Sequence, residues 1–113
     1  MLYRSTEGGP LRVPFFNALL DGLAPDKGLY MPEEFPISLE IDGESFPDRA
    51  CQLLWNFVPR NGLSQLCHEV FNFPVPMKQI GDNLFILELF HGPTLSFKDF
   101  GARSANTPDK PFS

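Results

Sequence analysis

One lysine stands between two phenylalanines just past a glycine–proline step, in the run Glu88-Leu-Phe-His-Gly-Pro-Thr-Leu-Ser-Phe-Lys98-Asp-Phe-Gly-Ala-Arg103. Phe97 and Phe100 limit hydration of an ammonium, and a helix opened by Lys98 disfavours its charge further, because the positive dipole end lies there. A lysine so placed is an amine nucleophile toward an aldehyde and, once neutral, a base. The plainer alternative is a solvated surface lysine beside Asp99, and spacing alone leaves both open. Asp99 either orients Lys98 or caps the following helix, with capping preferred for a carboxylate near a helix start. His91 contacts a substrate or holds a loop carbonyl, and a single histidine without a partner reads as structural. Thr94 and Ser96 offer hydroxyls that donate to a substrate carboxylate or phosphate, or else to backbone groups of the turn.

Other chemistries find little support. The sequence has no GxGxxG or GxxxxGK[ST] run, no HExxH and no GxSxG. Glu33, Glu34, Asp21 and Asp26 lie near turns and read as solvated charges. Cys51 and Cys67, with His68 and His91 as the other soft ligands, have no zinc-site spacing, so no metal is expected. Both cysteines read as reduced core residues. A formal charge of −5 and the lack of a basic, aromatic-interleaved cluster argue against nucleic acid as a partner. The N-terminus has no apolar signal core and no apolar stretch approaches the roughly 20 residues that span a bilayer. The expectation is therefore a protein without a membrane partner, soluble and cytoplasmic.

The elements that must hold this lysine are short. The chain of 113 residues carries 12 prolines and 12 phenylalanines, enough apolar material for one modest core, burying about 65% of the unfolded surface. Tyr3 to Thr6 reads as a strand that Gly8-Gly9-Pro10 ends. Phe16, Leu19, Leu20 and Leu23 recur at helical spacing after Pro14, until Gly22 and Pro25. Pro25-Asp-Lys-Gly28 is a turn, followed by an extended apolar strip at Leu29 to Pro32. Ser45 and Asp48 mark a helix start whose face continues through Ala50, Leu54, Phe57 and Val58 to Pro59. A further helix after Asn61-Gly62 aligns Leu63, Leu66, Cys67, Val70 and Phe71. Phe73-Pro-Val-Pro76 is extended, and Leu84 to Phe90 reads as a buried strand entering His91-Gly92-Pro93.

The lysine run is similar to the cofactor-lysine segment of threonine synthase, and Thr94-Leu-Ser-Phe-Lys98 resembles the T-x-S-F-K pattern of fold-type II pyridoxal phosphate enzymes. Tyr3-Arg-Ser-Thr6, Gly22-Leu-Ala-Pro-Asp-Lys-Gly-Leu-Tyr-Met-Pro32 and Phe73-Pro-Val-Pro76 also resemble threonine synthase segments, in the family's order. The resemblance implies that Lys98 attaches pyridoxal phosphate covalently and moves protons at substrate carbons. It equally implies a cofactor contact for Phe97, whose ring packs on the pyridine or simply joins the core. Thr94 and Ser96 become candidate substrate contacts. The implied activity of the complete enzyme is conversion of O-phospho-L-homoserine and water to L-threonine and phosphate, as a carbon–oxygen lyase acting on phosphate.

On this view the fold class is α/β: an α+β-like small domain of short strands and about three helices, then the first strand of a catalytic domain. Residues 1–82 form the threonine synthase-like N-terminal domain, 83–103 the start of the pyridoxal phosphate domain, and 104–113 a mobile tail. Two departures stand out: Glu7 occupies a position where many relatives carry a basic residue, and the resemblance stops after Arg103. Fold-type II enzymes hold the cofactor phosphate with a glycine-rich loop and a helix N-terminus downstream of the lysine. None follows Lys98 here, so the chain alone is expected to hold the cofactor weakly, to expose Lys98 and to be inactive without the remainder of the catalytic domain. The competing expectation is a noncatalytic truncated or paralogous interaction module that keeps the N-terminal fold.

Overall fold

A computed structural model describes residues 1–36 and 40–105, which fall into two compact units. The first comprises Met1–Ile41 with Gln52–Arg60, and the second Asp42–Cys51 with the chain from Asn61 onward. Mixed helices and antiparallel strands give the α/β class that the sequence implies.

In the first unit β1 (Leu2–Ser5) is the centre of a three-stranded antiparallel sheet, between β2 (Arg12–Pro14) and β3 (Tyr30–Pro32). Tyr3 pairs with Val13 on one side and Pro32 on the other, and Tyr3, Ser5 and Val13 are buried, the alternation of a sheet with one covered face. The Tyr3 hydroxyl donates to the Phe57 carbonyl at 2.6 Å, which satisfies a polar group whose burial pushes its pKa up. The apolar strip expected at Leu29 to Pro32 is thus largely a strand. The turn before it is closed by Asp26, whose carboxylate accepts from the Ser5 hydroxyl at 2.6 Å and the Gly28 amide at 3.0 Å. Gly28 is required there, since an added Cβ would overlap Ser5 Oγ.

The helix α1 (Phe15–Asp21) forms where the apolar spacing predicts it and stops at Gly22, whose φ of 72° a glycine adopts without strain. Its apolar face is not buried, however: Leu19 and Leu23 are exposed and Leu20 is 79% exposed. The seven-residue helix packs its N-terminal aromatic end through Phe15 against Tyr3, at 6.0 Å between ring centroids, and its last residue, Asp21, accepts from the Tyr30 hydroxyl at 3.2 Å.

Across the second unit α3 (Leu63–Val70) is the core element, with Leu63, Leu66, Cys67 and Val70 all buried on the predicted face. α2 (Phe46–Leu54) starts at a reciprocal cap, with the Ser45 amide donating to Asp48 and the Asp48 amide to Ser45 Oγ. Its expected face is only partly realised, because Cys51 is the buried residue of this helix while Leu54 is half-buried. Cys51 and Cys67 are unlinked and buried, as expected of core thiols, and burial pushes the Cys67 thiol up to about 12. α4 (Asp99–Ala105) packs against α3, and Phe100 joins Phe46, Phe71 and Phe73 with ring centroids 5.2 to 5.9 Å apart. Arg103 fastens the same contact by donating to the Asn72 side chain at 2.8 Å and the Glu69 carbonyl at 3.1 Å.

Between α3 and α4 runs a two-stranded hairpin, β4 (Met77–Gly81) with β5 (Leu84–Leu87). The expected strand is present over Leu84–Leu87, but it is exposed rather than buried. Among the described residues no third strand pairs with this two-stranded ribbon, and the residues of both strands stay exposed. Of the segment expected as a tail, Ser104 and Ala105 belong to α4, and residues 106–113 lie outside the described residues.

Candidate functional site

The loop from Glu88 to Lys98 joins the hairpin to α4, and three features fix its course. At its start Glu88, 6% exposed, is held from two sides: the His91 Nε2 lies 2.9 Å from one carboxylate oxygen and the Lys78 Nζ 3.3 Å from the other. The hydrogen bond with His91 keeps the Glu88 carboxyl below its ordinary 4.5, against burial and with help from Lys78. His91, expected to be without a partner, thus has one, and its ring also stacks on Phe90 with centroids 4.6 Å apart.

In the middle, Gly92-Pro93-Thr94-Leu95 closes a β-turn, with the Leu95 amide donating to the Gly92 carbonyl at 3.0 Å. Proline at the second position presets the turn. Leu95 then takes a φ of 57°, which costs a non-glycine residue about 1–2 kcal/mol. Such a conformation persists where the surrounding contacts dictate it.

Those contacts come from the far end. Asp99, the first helical residue of α4 and 3% exposed, accepts from the Thr94 amide at 3.0 Å and the Thr94 hydroxyl at 2.6 Å. The Thr94 hydroxyl bond holds the Asp99 carboxyl below its ordinary 3.8, against burial, with the Thr94 and Ser96 backbone and Arg103 assisting. Gly92 is pressed against this carboxylate, so that a Cβ added there would meet Asp99 Cβ and Cγ at 2.8 Å. The capping role expected of Asp99 is therefore replaced: its carboxylate turns back to bind Thr94, because the turn brings that donor pair within reach.

Lys98 sits at the join. Its amide donates to Ser96 Oγ at 3.3 Å and its carbonyl accepts the Ala102 amide at 2.9 Å, which starts the helix. The side chain is exposed, and among the described residues it has no ion pair, including with Asp99. The shielding expected of the flanking rings is not realised here. Phe97 is 65% exposed and Phe100 is turned into the aromatic cluster.

The structure thus brings Thr94, Ser96, Phe97 and Lys98 onto one strapped loop. A free, exposed amine and an uncovered aromatic ring suit the aldehyde and ring of a pyridoxal-type cofactor. For its phosphate the described residues present no glycine-rich cradle. Nor is there, among them, a cluster of three or more His, Cys, Asp or Glu side chains fit to hold a metal ion, or a helix long and apolar enough to cross a membrane. Sequence reasoning missed Glu88 and the part played by Gly92. The signal for Glu88 was its isolation as the one charge in an apolar run, three residues before His91.

The chain is similar to known proteins along most of its length. The profile for the N terminus of threonine synthase matches residues 2–71. The chain is 36% identical to a threonine synthase of Haemophilus influenzae over 99 residues, covering 81% of the chain and 23% of that protein. Similarity to a threonine synthase of Escherichia coli is 39% over 101 residues, covering 81% and 24%. Among solved structures, the crystal structure of pyridoxal phosphate-bound threonine synthase from Brucella melitensis superposes with a TM-score of 0.84 at 37% identity. That match takes in 93% of the chain and 26% of the solved protein. The chain spans about a quarter of the length of the relatives it matches.

Proposed function

The chain belongs to the family of threonine synthase N termini, and on that footing we propose that it supplies the cofactor lysine, Lys98, of a pyridoxal phosphate-dependent threonine synthase. The observation that carries this is the exposed side chain of Lys98, without an ion pair among the described residues, within Thr94-Leu-Ser-Phe-Lys98 on a loop that Asp99 ties in place. In this proposal residues 1–82 are the N-terminal domain and 83–103 open the catalytic domain. The remainder of that domain is the partner of this segment.

The complete enzyme would turn O-phospho-L-homoserine and water into L-threonine and phosphate, as a lyase of the cytoplasm. When bound, pyridoxal phosphate supplies an electron sink for carbanions formed on the substrate. The residues of this chain do the rest of what concerns them here. Lys98 Nζ would hold the cofactor through its aldehyde and, as a neutral amine, would take and return protons at the substrate α and β carbons. Phe97 offers its uncovered ring to one face of the pyridine. Ser96 and Thr94 offer hydroxyl oxygens to the substrate, Thr94 through the lone pairs left while its O–H donates to the Asp99 carboxylate.

The 113 residues alone are proposed to be inactive, since a covalent bond to one lysine does not replace the backbone amides that hold a phosphate. A coupled phosphate-release and threonine assay tests both parts. The chain alone is expected to form no threonine from O-phosphohomoserine, and the complete enzyme carrying these residues is expected to form it. Turnover by the chain alone would refute the inactivity, and a complete enzyme inert toward this substrate would refute the activity.

A further inference from the structure

Resting on the assignment of Lys98 above, we infer that Asp99 is a positioning residue for that lysine, acting through its double hydrogen bond to Thr94. The loop between Gly92 and Asp99 is fixed at both ends by the same carboxylate. Thr94 is tied to it by amide and hydroxyl, and Gly92 is packed against its Cβ and Cγ. Between these points the turn closes on itself through the Leu95 amide and holds Leu95 at a φ of 57°. Lys98 is the last residue before the clamp, and its own amide is tied to Ser96 within the loop. With Asp99 removed, the described contacts leave Thr94 without an acceptor for either donor. The Leu95 and Lys98 amide bonds within the loop remain, but the clamp no longer offsets the cost of the left-handed leucine, so the loop relaxes and the backbone bearing Lys98 moves with it.

Asp99 is not proposed to touch the reacting atoms. Its carboxylate is buried and its bonding capacity is engaged by the loop. The consequence is one of geometry: displacement of a reacting group by about 1 Å costs on the order of 100-fold in rate. Structural loss alone would lower stability without altering the lysine's environment, and that difference is what the test reads.

The test uses the complete enzyme for Asp99→Asn and Gly92→Ala, and the 113-residue chain for amide exchange. Asp99→Asn keeps the shape but sets an NH2 group against one Thr94 donor. Gly92→Ala leaves Asp99 and Thr94 chemically intact and forces the carboxylate away. Both are expected to lower kcat about 10- to 100-fold with substrate KM changed less than about threefold. Both are also expected to move the pH midpoint of the lysine-bound cofactor's visible absorbance. In the unaltered chain the Thr94 amide is expected to exchange slowly by NMR, and at least about tenfold faster in Asp99→Asn. If both variants lower the melting temperature but keep kcat and the absorbance midpoint, Asp99 is structural only. If Asp99→Asn does not fold, Gly92→Ala decides by the same readouts, and rapid exchange at Thr94 in the unaltered chain overturns the clamp outright. Retention of turnover and of the borohydride-fixed label in Lys98→Ala would instead overturn the lysine assignment, and this inference with it.

Discussion

Leu63→Ala should be the most damaging single truncation in α3. The residue is 1% exposed and lies on the face that also buries Leu66, Cys67 and Val70. Truncation removes Cγ and both Cδ carbons, and at about 0.8 kcal/mol each the transfer loss is about 2.4 kcal/mol. The cavity left behind adds to this where neighbours cannot collapse, which places the total at roughly 3–5 kcal/mol. With a urea m-value of about 2 kcal/mol/M, the midpoint should fall by about 1.5 to 2.5 M. The matched control is Leu20→Ala, at a residue 79% exposed, which should change stability by less than about 0.5 kcal/mol. Equal midpoint shifts for the two variants would refute the burial pattern from which the magnitude was worked.

Acid should unfold the chain through its tied carboxylates. Asp99, Asp48 and Glu88 all titrate below their ordinary values of 3.8, 3.8 and 4.5. Because the folded pKa is depressed in each, their contribution is fully present above the ordinary values and is lost as the pH falls through the folded ones. Urea midpoints measured between about pH 6 and pH 2.5 should decline only in the lower part of that range; Asp99→Asn should flatten part of the decline, and an unchanged profile would count against the Asp99 contribution. Cys67, with its thiol pushed up to about 12 by burial first and by Cys51 second, should react with iodoacetamide at pH 8 far more slowly in the native chain than in urea. Equal native and denatured rates at Cys67 would contradict its burial.

How far the sequence could be read depended on whether the decisive contact was local. α3 was legible because Leu63, Leu66, Cys67 and Val70 repeat at the helical period and all four are buried. The same period in Phe16, Leu19, Leu20 and Leu23 correctly marked α1 but not its burial, since periodicity states that an apolar face exists and not what lies on it. Leu84 to Leu87 were expected buried for the same reason, and β4 was missed. Met77 to Gly81 carry no alternation, and they become a strand only by pairing with Leu84–Leu87.

At the site, residue types and spacing alone left Lys98 open between a reactive amine and a solvated surface lysine, and the family resemblance of its run singled it out. The role of Asp99 was not, because a carboxylate at a helix start has a local job by default, whereas its actual donors lie on Thr94, five residues back across a turn. Glu88 and His91 were likewise separate signals until the end of the hairpin brought Lys78 to the same carboxylate. The family resemblance over residues 1–103 anticipated the profile match at 2–71 and the structural match to threonine synthase.

The central claim is that Lys98 is the lysine that bonds pyridoxal phosphate, and peptide mapping after borohydride reduction tests it most directly. The complete enzyme is incubated with the cofactor, reduced, digested and sequenced by mass spectrometry, alongside Lys98→Ala and the 113-residue chain. One dominant phosphopyridoxyl label is expected on Lys98 in the complete enzyme, none at that position in Lys98→Ala, and only slight labelling spread over Lys27, Lys78, Lys98 and Lys110 in the chain alone. A dominant label on any other lysine, or full labelling and turnover in Lys98→Ala, would contradict it.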